Sequence, residues 1–206
     1  MESETVAIFL AHLNPVTRTH VHIISYLEGM YKRVYVFPVR FLQQGHEINT
    51  RSFPFTYELR RTMIELTLGT SRVAVLPNYT FYAPFIRYLP PLISPYSWAL
   101  RNDIVRTIKK KKFVSYTGDR IERVALKIYR LKPINATRLD ISASSVKEMI
   151  YNQARDGTRE QKWAELVPHE VSQLIKENWA VVRNFASLPD QTIKFMGMKF
   201  PVKGFL

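Results

Sequence analysis

"FLAHLNPVTRTHVHII", residues 9–24, joins an apolar run to a helical pattern through an asparagine, a proline, a threonine and a histidine. The run VAIFLAHL that opens at Val6 reads as a buried strand. Asn14 then reads as a helix N-cap and Pro15 as the first helical residue, because an asparagine oxygen accepts orphan amides and a proline has no amide to satisfy. The junction is strand, tight turn, helix. On that start, Thr17 and His20 stand three apart on one face, beside amides that attract anions. The stretch predicts a phosphate site where a buried strand hands over to a helix.

Further along, apolar β-rich runs at 33–39 (RVYVFPV), 72–78 (RVAVLPN) and 112–118 (KFVSYTG) alternate with helical patterns at 15–30, 56–69 and roughly 96–109. Strands separated by helices predict right-handed crossovers and a parallel sheet. RVALKIYRLKP (123–133) reads as a helix followed by a short extended stretch, and SASSVKEMIYNQ as a serine cap leading into a helix. In WAELVPHEVSQLIKENWAVV, Pro168 opens a helix with Val171, Leu174, Ile175 and Trp179 at helical spacing. The tail from about 186 to 206 carries no clear pattern, which leaves a packed arm or partial disorder open. The expected fold is α/β: a doubly wound, Rossmann-like parallel sheet of about five strands with flanking helices and a C-terminal helical extension. Residues 1–180 form the expected domain and 181–206 a tail or arm. Ligands of such sheets sit at the carboxyl ends of the strands, where residues 10–20, 38–46 and 116–120 emerge.

Composition bounds the rest. At 206 residues and 46% hydrophobic content, the chain can bury one substantial core. It has no cysteine, which excludes disulfides, thiolate zinc sites and cysteine nucleophiles. No apolar segment approaches the roughly 20 residues of a membrane span, and a cytoplasmic protein is expected. The net charge of +13 favours acidic partners: nucleotides, nucleic acid or an anionic surface. The lysines at 109–112 read as a solvated helix end rather than a nucleic-acid patch. No glycine pattern of the dinucleotide fingerprint or the P-loop occurs.

The first stretch resembles the signature of the HxGH-type nucleotidyltransferases, Gly-x-Phe-x-Pro-x-(His/Thr)-x-Gly-His, keeping Asn14, Pro15, Thr17 and His20. Ala11 and Thr19 stand in place of its glycines. "ISASSVKEMI" resembles the same superfamily's (I/Y)S(S/G)TxxR signature, with Ser142, Ser144 and Ser145 as hydroxyl donors and Lys147 in place of the usual arginine. A cation near a helix N-terminus opposes the macrodipole, so Lys147 is easier to understand if an anion binds there. "FPFTYELRRTMI" is similar to the PFTxxER segment of the archaeal type of nicotinamide-mononucleotide adenylyltransferase, with Arg60 at its arginine and Glu58 displaced by one. "SYTGDRIERVALK" resembles its nucleotide-recognising Y-S-(G/N)-N segment through Thr117, Gly118 and Asp119, and "ELVPHEVSQLI" its closing LLPxxVxxxI helix.

The resemblance implies transfer of a nucleotidyl group from ATP to a phosphorylated acceptor, nicotinamide mononucleotide first among them, with pyrophosphate released. It implies His20, Thr17 and Lys147 as catalytic residues. His12, Leu13, Asn14, Gly118, Asp119, Ser142, Ser144 and Ser145 would bind the nucleotide, and Arg51, Arg60 and Trp98 the acceptor. Mg²⁺ would be carried mainly by substrate phosphates, without protein ligands. His22, His46 and His169 stand in no metal-ligand spacing. The aromatics Phe53, Phe55, Tyr79, Phe81, Tyr82 and Phe85 read as core or loop packing before base stacking. The partners expected are nucleotide and phosphorylated small molecules, in a homo-oligomer and away from membranes. Two alternatives stay open: cytidylyl or adenylyl transfer to another phosphorylated small molecule, and a catalytically degenerate relative that binds nucleotide or RNA.

Overall fold

The run VAIFLA forms strand β1 (Val6–Ala11), and it is continuously apolar because both of its faces are covered. Ala7 and Phe9 enter one hydrophobic cluster, Val6, Ile8 and Leu10 another. After β1 come α1 (Arg18–Met30), β2 (Val34–Pro38), β3 (Arg40–Gln43), β4 (His46–Glu47) and α2 (Tyr57–Leu68). Then follow β5 (Val73–Val75), β6 (Thr80–Tyr82), α3 (Pro95–Thr107), β7 (Phe113–Thr117), α4 (Arg120–Ile128) and β8 (Pro133–Asn135). The chain closes with α5 (Ala143–Asp156), α6 (His169–Glu177), α7 (Trp179–Ala186), β9 (Thr192–Phe195) and β10 (Met198–Pro201). This computed structural model describes residues 5–69, 71–109, 112–117, 120–135, 142–157, 161–195 and 198–206.

Five parallel strands form the central sheet in the order β5-β2-β1-β7-β8, with Ala7 opposite Val34 on one side of β1 and Val114 on the other. Helices α1, α2, α5, α6 and α7 send Ile24, Met63, Ile150, Val171 and Val182 into the Phe9 cluster. Helices α3 and α4 send Ile104 and Leu126 into the Ile8 cluster. The sheet is therefore wound on both faces, as the alternation of apolar runs and helices predicts.

The helix boundaries follow local chemistry, with one correction. Asn14 is not the N-cap of α1 and Pro15 is not its first residue; Thr17 is the cap, in a capping box with His20 at the third helical position. The Asn14 side chain is engaged elsewhere: its Nδ2 donates to the Phe55 carbonyl (2.9 Å) and its Oδ1 accepts from the Phe55 amide (3.2 Å). Thr56 caps α2, which ends at Gly69 in the left-handed conformation (φ 57°). Ser94 caps α3 with Pro95 behind it, and Ser142 caps α5 as the sequence predicts. The closing helical pattern divides at Asn178 into α6 and α7, so Trp179 begins a second helix. The 180/181 boundary falls inside α7.

A three-stranded sheet, β4-β3-β6, was not legible as such in the sequence; β3 runs parallel to β6 and antiparallel to β4. It carries a third cluster that includes Phe41, Phe53, Phe81, Phe85 and Tyr88. Of the aromatics expected to pack, Phe53, Phe55, Phe81 and Phe85 are buried, while Tyr82 is 52% exposed. The described C-terminal residues form an arm packed on the domain. Strands β9 and β10 form a hairpin, and Phe200 (2% exposed) enters the third cluster. The amides of Phe85 and Ile86 donate to the carbonyls of Gly204 and Phe205, both at 2.8 Å. Among the described residues, no helix is long and apolar enough to cross a membrane.

Candidate functional site

The carboxyl end of β1 leads into a loop that three elements hold in place. Leu13, 1% exposed, takes a left-handed conformation (φ 51°), which turns the chain sharply after His12. Asn14 ties the loop to Phe55, ahead of α2. Arg60, from α2, donates through Nη1 to the carbonyls of His12 (2.7 Å) and Val39 (2.8 Å). Its Nη2 pairs with Glu47 at 3.0 Å and its Nε donates to the Thr56 carbonyl.

The expected acceptor role of Arg60 does not fit this geometry. The guanidinium is 2% exposed and committed to four oxygens, so it braces the loops rather than meeting a ligand. Burial lowers its pKa, with the Glu47 carboxylate acting in the opposite direction. Arg51 is also engaged: its Nη1 donates to the Ala186 carbonyl (2.6 Å), its Nη2 pairs with Glu148 (3.0 Å), and it stacks on Tyr151. Trp98 is half-buried, donates to the Leu92 carbonyl and packs edge-on against Tyr129. Each of these three side chains is held by its own set of protein partners, and none is shared.

Thr17 and His20 do come together. The Thr17 amide donates to His20 Nδ1 (3.0 Å), and the His20 amide donates to Thr17 Oγ1 (3.4 Å). An acceptor at Nδ1 puts the proton of the neutral imidazole on Nε2, leaving an N–H donor beside the start of α1. Burial pushes the His20 pKa down to about 4, with the Lys147 charge adding to the effect, so the ring is neutral at pH 7. Thr17 is fully buried, and its hydroxyl acts on the histidine rather than reaching solvent. His12 stacks on Phe53 with ring centroids 4.7 Å apart and an interplanar angle of 13°. Burial lowers its pKa to about 3, assisted by Lys147, Arg60, Lys199 and His20 in turn.

Lys147 unites the two signature stretches. From α5 its Nζ donates to the carbonyls of Asn14 (3.0 Å) and Ser52 (2.7 Å). Burial lowers its pKa to about 8, with Lys199 adding repulsion. At the start of the same helix, the Ser145 amide donates to Ser142 Oγ (3.2 Å) and the Ser145 hydroxyl to the Ser142 carbonyl (2.8 Å). Ser142, Ser144 and Ser145 are all exposed. Two helix N-termini, a neutral imidazole donor and a half-buried ammonium thus serve one end of the sheet. Such a set of donors has the chemistry to accept a polyanion. Gly118 and Asp119 lie outside the described residues; Thr117 before them is buried and donates to Glu122.

Sequence reasoning missed Lys199 and Ser52. Lys199, on the hairpin, donates to Ser52 Oγ and Asp190 Oδ2, both at 2.8 Å. Ser52 thereby joins two lysines, through its carbonyl and its hydroxyl. Burial would raise the Asp190 pKa, but hydrogen bonds from Lys199, Ser52 and Thr192 hold it below the usual value. No motif marks residues 52, 190 and 199, which meet only through the fold. Among the described residues, no group of three or more His, Asp or Glu side chains could hold a metal ion, and His22, His46 and His169 are exposed.

No protein-family model matches the chain, and no curated protein matches it in sequence. Its fold does match solved structures. A bifunctional NMN adenylyltransferase/ADP ribose pyrophosphatase from Francisella tularensis, complexed with AMP and a manganese ion, superposes with a TM-score of 0.62 at 14% identity. The match covers 89% of this chain and 52% of that one. A second structure of that enzyme gives 0.59 at 14% identity, over 91% and 58% of the two chains. A chain from Vibrio parahaemolyticus assigned as a nicotinate-nucleotide adenylyltransferase gives 0.51 at 16% identity, over 84% and 99%. The chain spans a little over half the length of the Francisella enzyme. At such identities the likeness defines the class of fold: a Rossmann-like α/β domain of the kind used by these mononucleotide adenylyltransferases.

Proposed function

We propose that the chain is a nucleotidyltransferase that transfers the adenylyl group of ATP to a phosphorylated acceptor, with nicotinamide mononucleotide as the acceptor and NAD as the product. The observation that carries this reading is the Lys147 ammonium, anchored 3.0 Å from the Asn14 carbonyl beside the Thr17–His20 pair. A phosphate oxygen of the acceptor attacks the α-phosphorus of ATP in line, the bond to the bridging oxygen breaks, and pyrophosphate leaves with the electron pair. Nothing in this step requires a covalent enzyme intermediate, so rate depends on orientation and on neutralising charge that builds on the phosphates.

His20 would donate its Nε2–H to a phosphate oxygen at the start of α1, and Thr17 would fix that tautomer. Lys147 would neutralise the departing pyrophosphate, with Ser144 and the amides of α5 around it. Among the described residues the donor set is cationic and lacks a carboxylate cluster, which suits Mg²⁺ carried on phosphate oxygens rather than in a protein cage. Mg²⁺ so carried would screen the triphosphate charge. His12, Leu13 and Asn14 would contribute mainly backbone and ring surface, since the Asn14 side chain is occupied.

The test is pyrophosphate release from ATP or CTP with Mg²⁺, offered nicotinamide mononucleotide and a panel of phosphorylated small molecules. Release with ATP and nicotinamide mononucleotide, with NAD formed, supports the reading in full. Release with another pair moves the acceptor or the base, and no release with any pair removes the catalytic assignment.

A further inference from the structure

Beside the small sheet lies a cavity of about 460 Å³ lined by Arg40, Asn78, Tyr82, Arg87, Tyr96 and Asp103, among others. It is as large as a site for a nucleotide-sized molecule needs to be. Its two guanidiniums have aromatic partners but no anionic one. Arg40 lies over Tyr57 at 5.3 Å, and Arg87 over Tyr96 at 4.7 Å and Tyr88 at 5.5 Å. Among the described residues neither makes an ion pair, and the Nε of each is buried without a hydrogen-bond partner. A buried guanidinium nitrogen left without an acceptor is costly, and two at one cavity are best satisfied by an anion that enters it.

The remaining wall selects further. Tyr82 and Tyr96 are 52% and 47% exposed; Arg87 covers one face of Tyr96, and the exposed remainder of the two rings leaves aromatic surface for stacking. Asp103 accepts from Asn78 Nδ2 at 2.8 Å and has acceptor capacity left for ligand hydroxyls. The backbone links the cavity wall to the candidate site: Val39, next to Arg40, accepts from Arg60 and donates its amide to the Ala11 carbonyl at the end of β1. Arg51 and Arg60, the arginines expected to meet the acceptor, are engaged in protein contacts.

We infer that the Arg40–Arg87 cavity binds a phosphomonoester that carries a flat ring and sugar hydroxyls, the phosphate held by the two guanidiniums and the ring by Tyr82 and Tyr96. This rests on the adenylyltransferase reading in that the ligand is the acceptor of that reaction. Binding can be measured apart from catalysis. Isothermal titration of the full chain with nicotinamide mononucleotide, nicotinamide riboside, ribose 5-phosphate and, separately, ATP with Mg²⁺ would be repeated on Arg40→Gln, Arg87→Gln and Tyr96→Leu.

Each arginine variant should weaken nicotinamide mononucleotide by about tenfold or more, the loss of one charge-assisted contact, and leave ATP within about threefold. Tyr96→Leu should weaken nicotinamide mononucleotide and spare ribose 5-phosphate, and nicotinamide riboside should bind poorly throughout. Melting curves monitor folding, and Arg87, on the exposed Tyr96 face, carries the test if Arg40→Gln is unstable. Unchanged nicotinamide mononucleotide binding in a folded Arg87→Gln protein overturns the inference, as does an equal loss of ATP. Absence of ATP binding in the wild type, with arginine-dependent phosphomonoester binding intact, removes the adenylyltransferase reading and leaves the cavity assignment standing.

Discussion

The Nζ of Lys147 lies 3.0 Å from the carbonyl oxygen of Asn14, a residue 133 positions earlier in the chain. That single contact brings the start of α5 to the end of β1, so the two signature stretches are parts of one place. It also explains the lowered Lys147 pKa. Two backbone carbonyls are poor compensation for removing an ammonium from water, and Lys199 stands nearby with the same sign.

Lys147 should therefore make ATP binding sensitive to alkaline pH. With a pKa of about 8, the side chain is charged at pH 7 and neutral at pH 9 in the ligand-free protein. If the charge is needed, ATP affinity should fall about tenfold over that interval. Lys147→Arg keeps its charge at both pH values and should bind equally at pH 7 and 9. Lys147→Ala should bind weakly at both. A wild-type dissociation constant that is flat between pH 7 and 9 would rule out the ammonium as the phosphate ligand.

His20→Ala should lower kcat for pyrophosphate release by about two to three orders of magnitude, the loss expected when one preorganised donor to a developing charge is removed. The Thr17 hydroxyl still caps α1 in this variant, so the melting temperature should move little. Activity within a factor of three of wild type would remove His20 from the reaction.

How far this site could be read in advance depended on whether its chemistry was local. The His20 and Ser142 stretches announce themselves as helix starts because capping uses a few residue types at fixed spacing. The two-sided winding was equally legible, since β1 is apolar at every position. Asn14 misled because its signal was ambiguous: an asparagine before a proline suits a helix cap, but its side chain is taken by Phe55, 41 residues on. Arg60 misled for a related reason. A motif arginine next to a substrate site and one bracing the loops of that site look alike until its partners are visible. Arg40, Arg87, Ser52 and Lys199 carried no local pattern at all, because only tertiary contacts bring them together.

Arg60→Met tests the bracing role directly. The substitution removes the donor to the carbonyls of His12 and Val39 and leaves the Glu47 carboxylate with the Tyr57 amide alone. Removing one partner of such a buried pair costs about 3–5 kcal/mol, to be read as a lower urea midpoint. An acceptor-binding arginine, by contrast, would leave stability near wild type and raise only the acceptor KM.

His20 and His12 should also make the fold acid-sensitive. Both pKa values are lowered from 6.5, to about 4 and about 3, so below pH 6.5 the unfolded chain takes up protons that the folded chain refuses. Stability is then fully present above pH 6.5 and declines as pH falls toward 4. Urea midpoints at pH 7, 6 and 5 should fall in that order. His20→Gln should show a shallower decline, and identical slopes in the two proteins would show that His20 is not the group responsible.

The C-terminal arm should prove part of the domain rather than an appendage to it. Phe200 is 2% exposed and packs against Phe41, Phe81, Phe85 and Phe205, with ring centroids 5.6 to 6.4 Å away. Phe200→Ala should therefore cost about 3–5 kcal/mol, the loss for a large core aromatic that leaves a cavity. Because the same hairpin presents Lys199 to Ser52, and Ser52 holds Lys147, loosening it should also weaken ATP at temperatures where the protein is still folded. Equilibrium unfolding and ATP titration on one preparation separate the two effects. A Phe200→Ala protein with wild-type stability would show that the arm docks without supporting the domain.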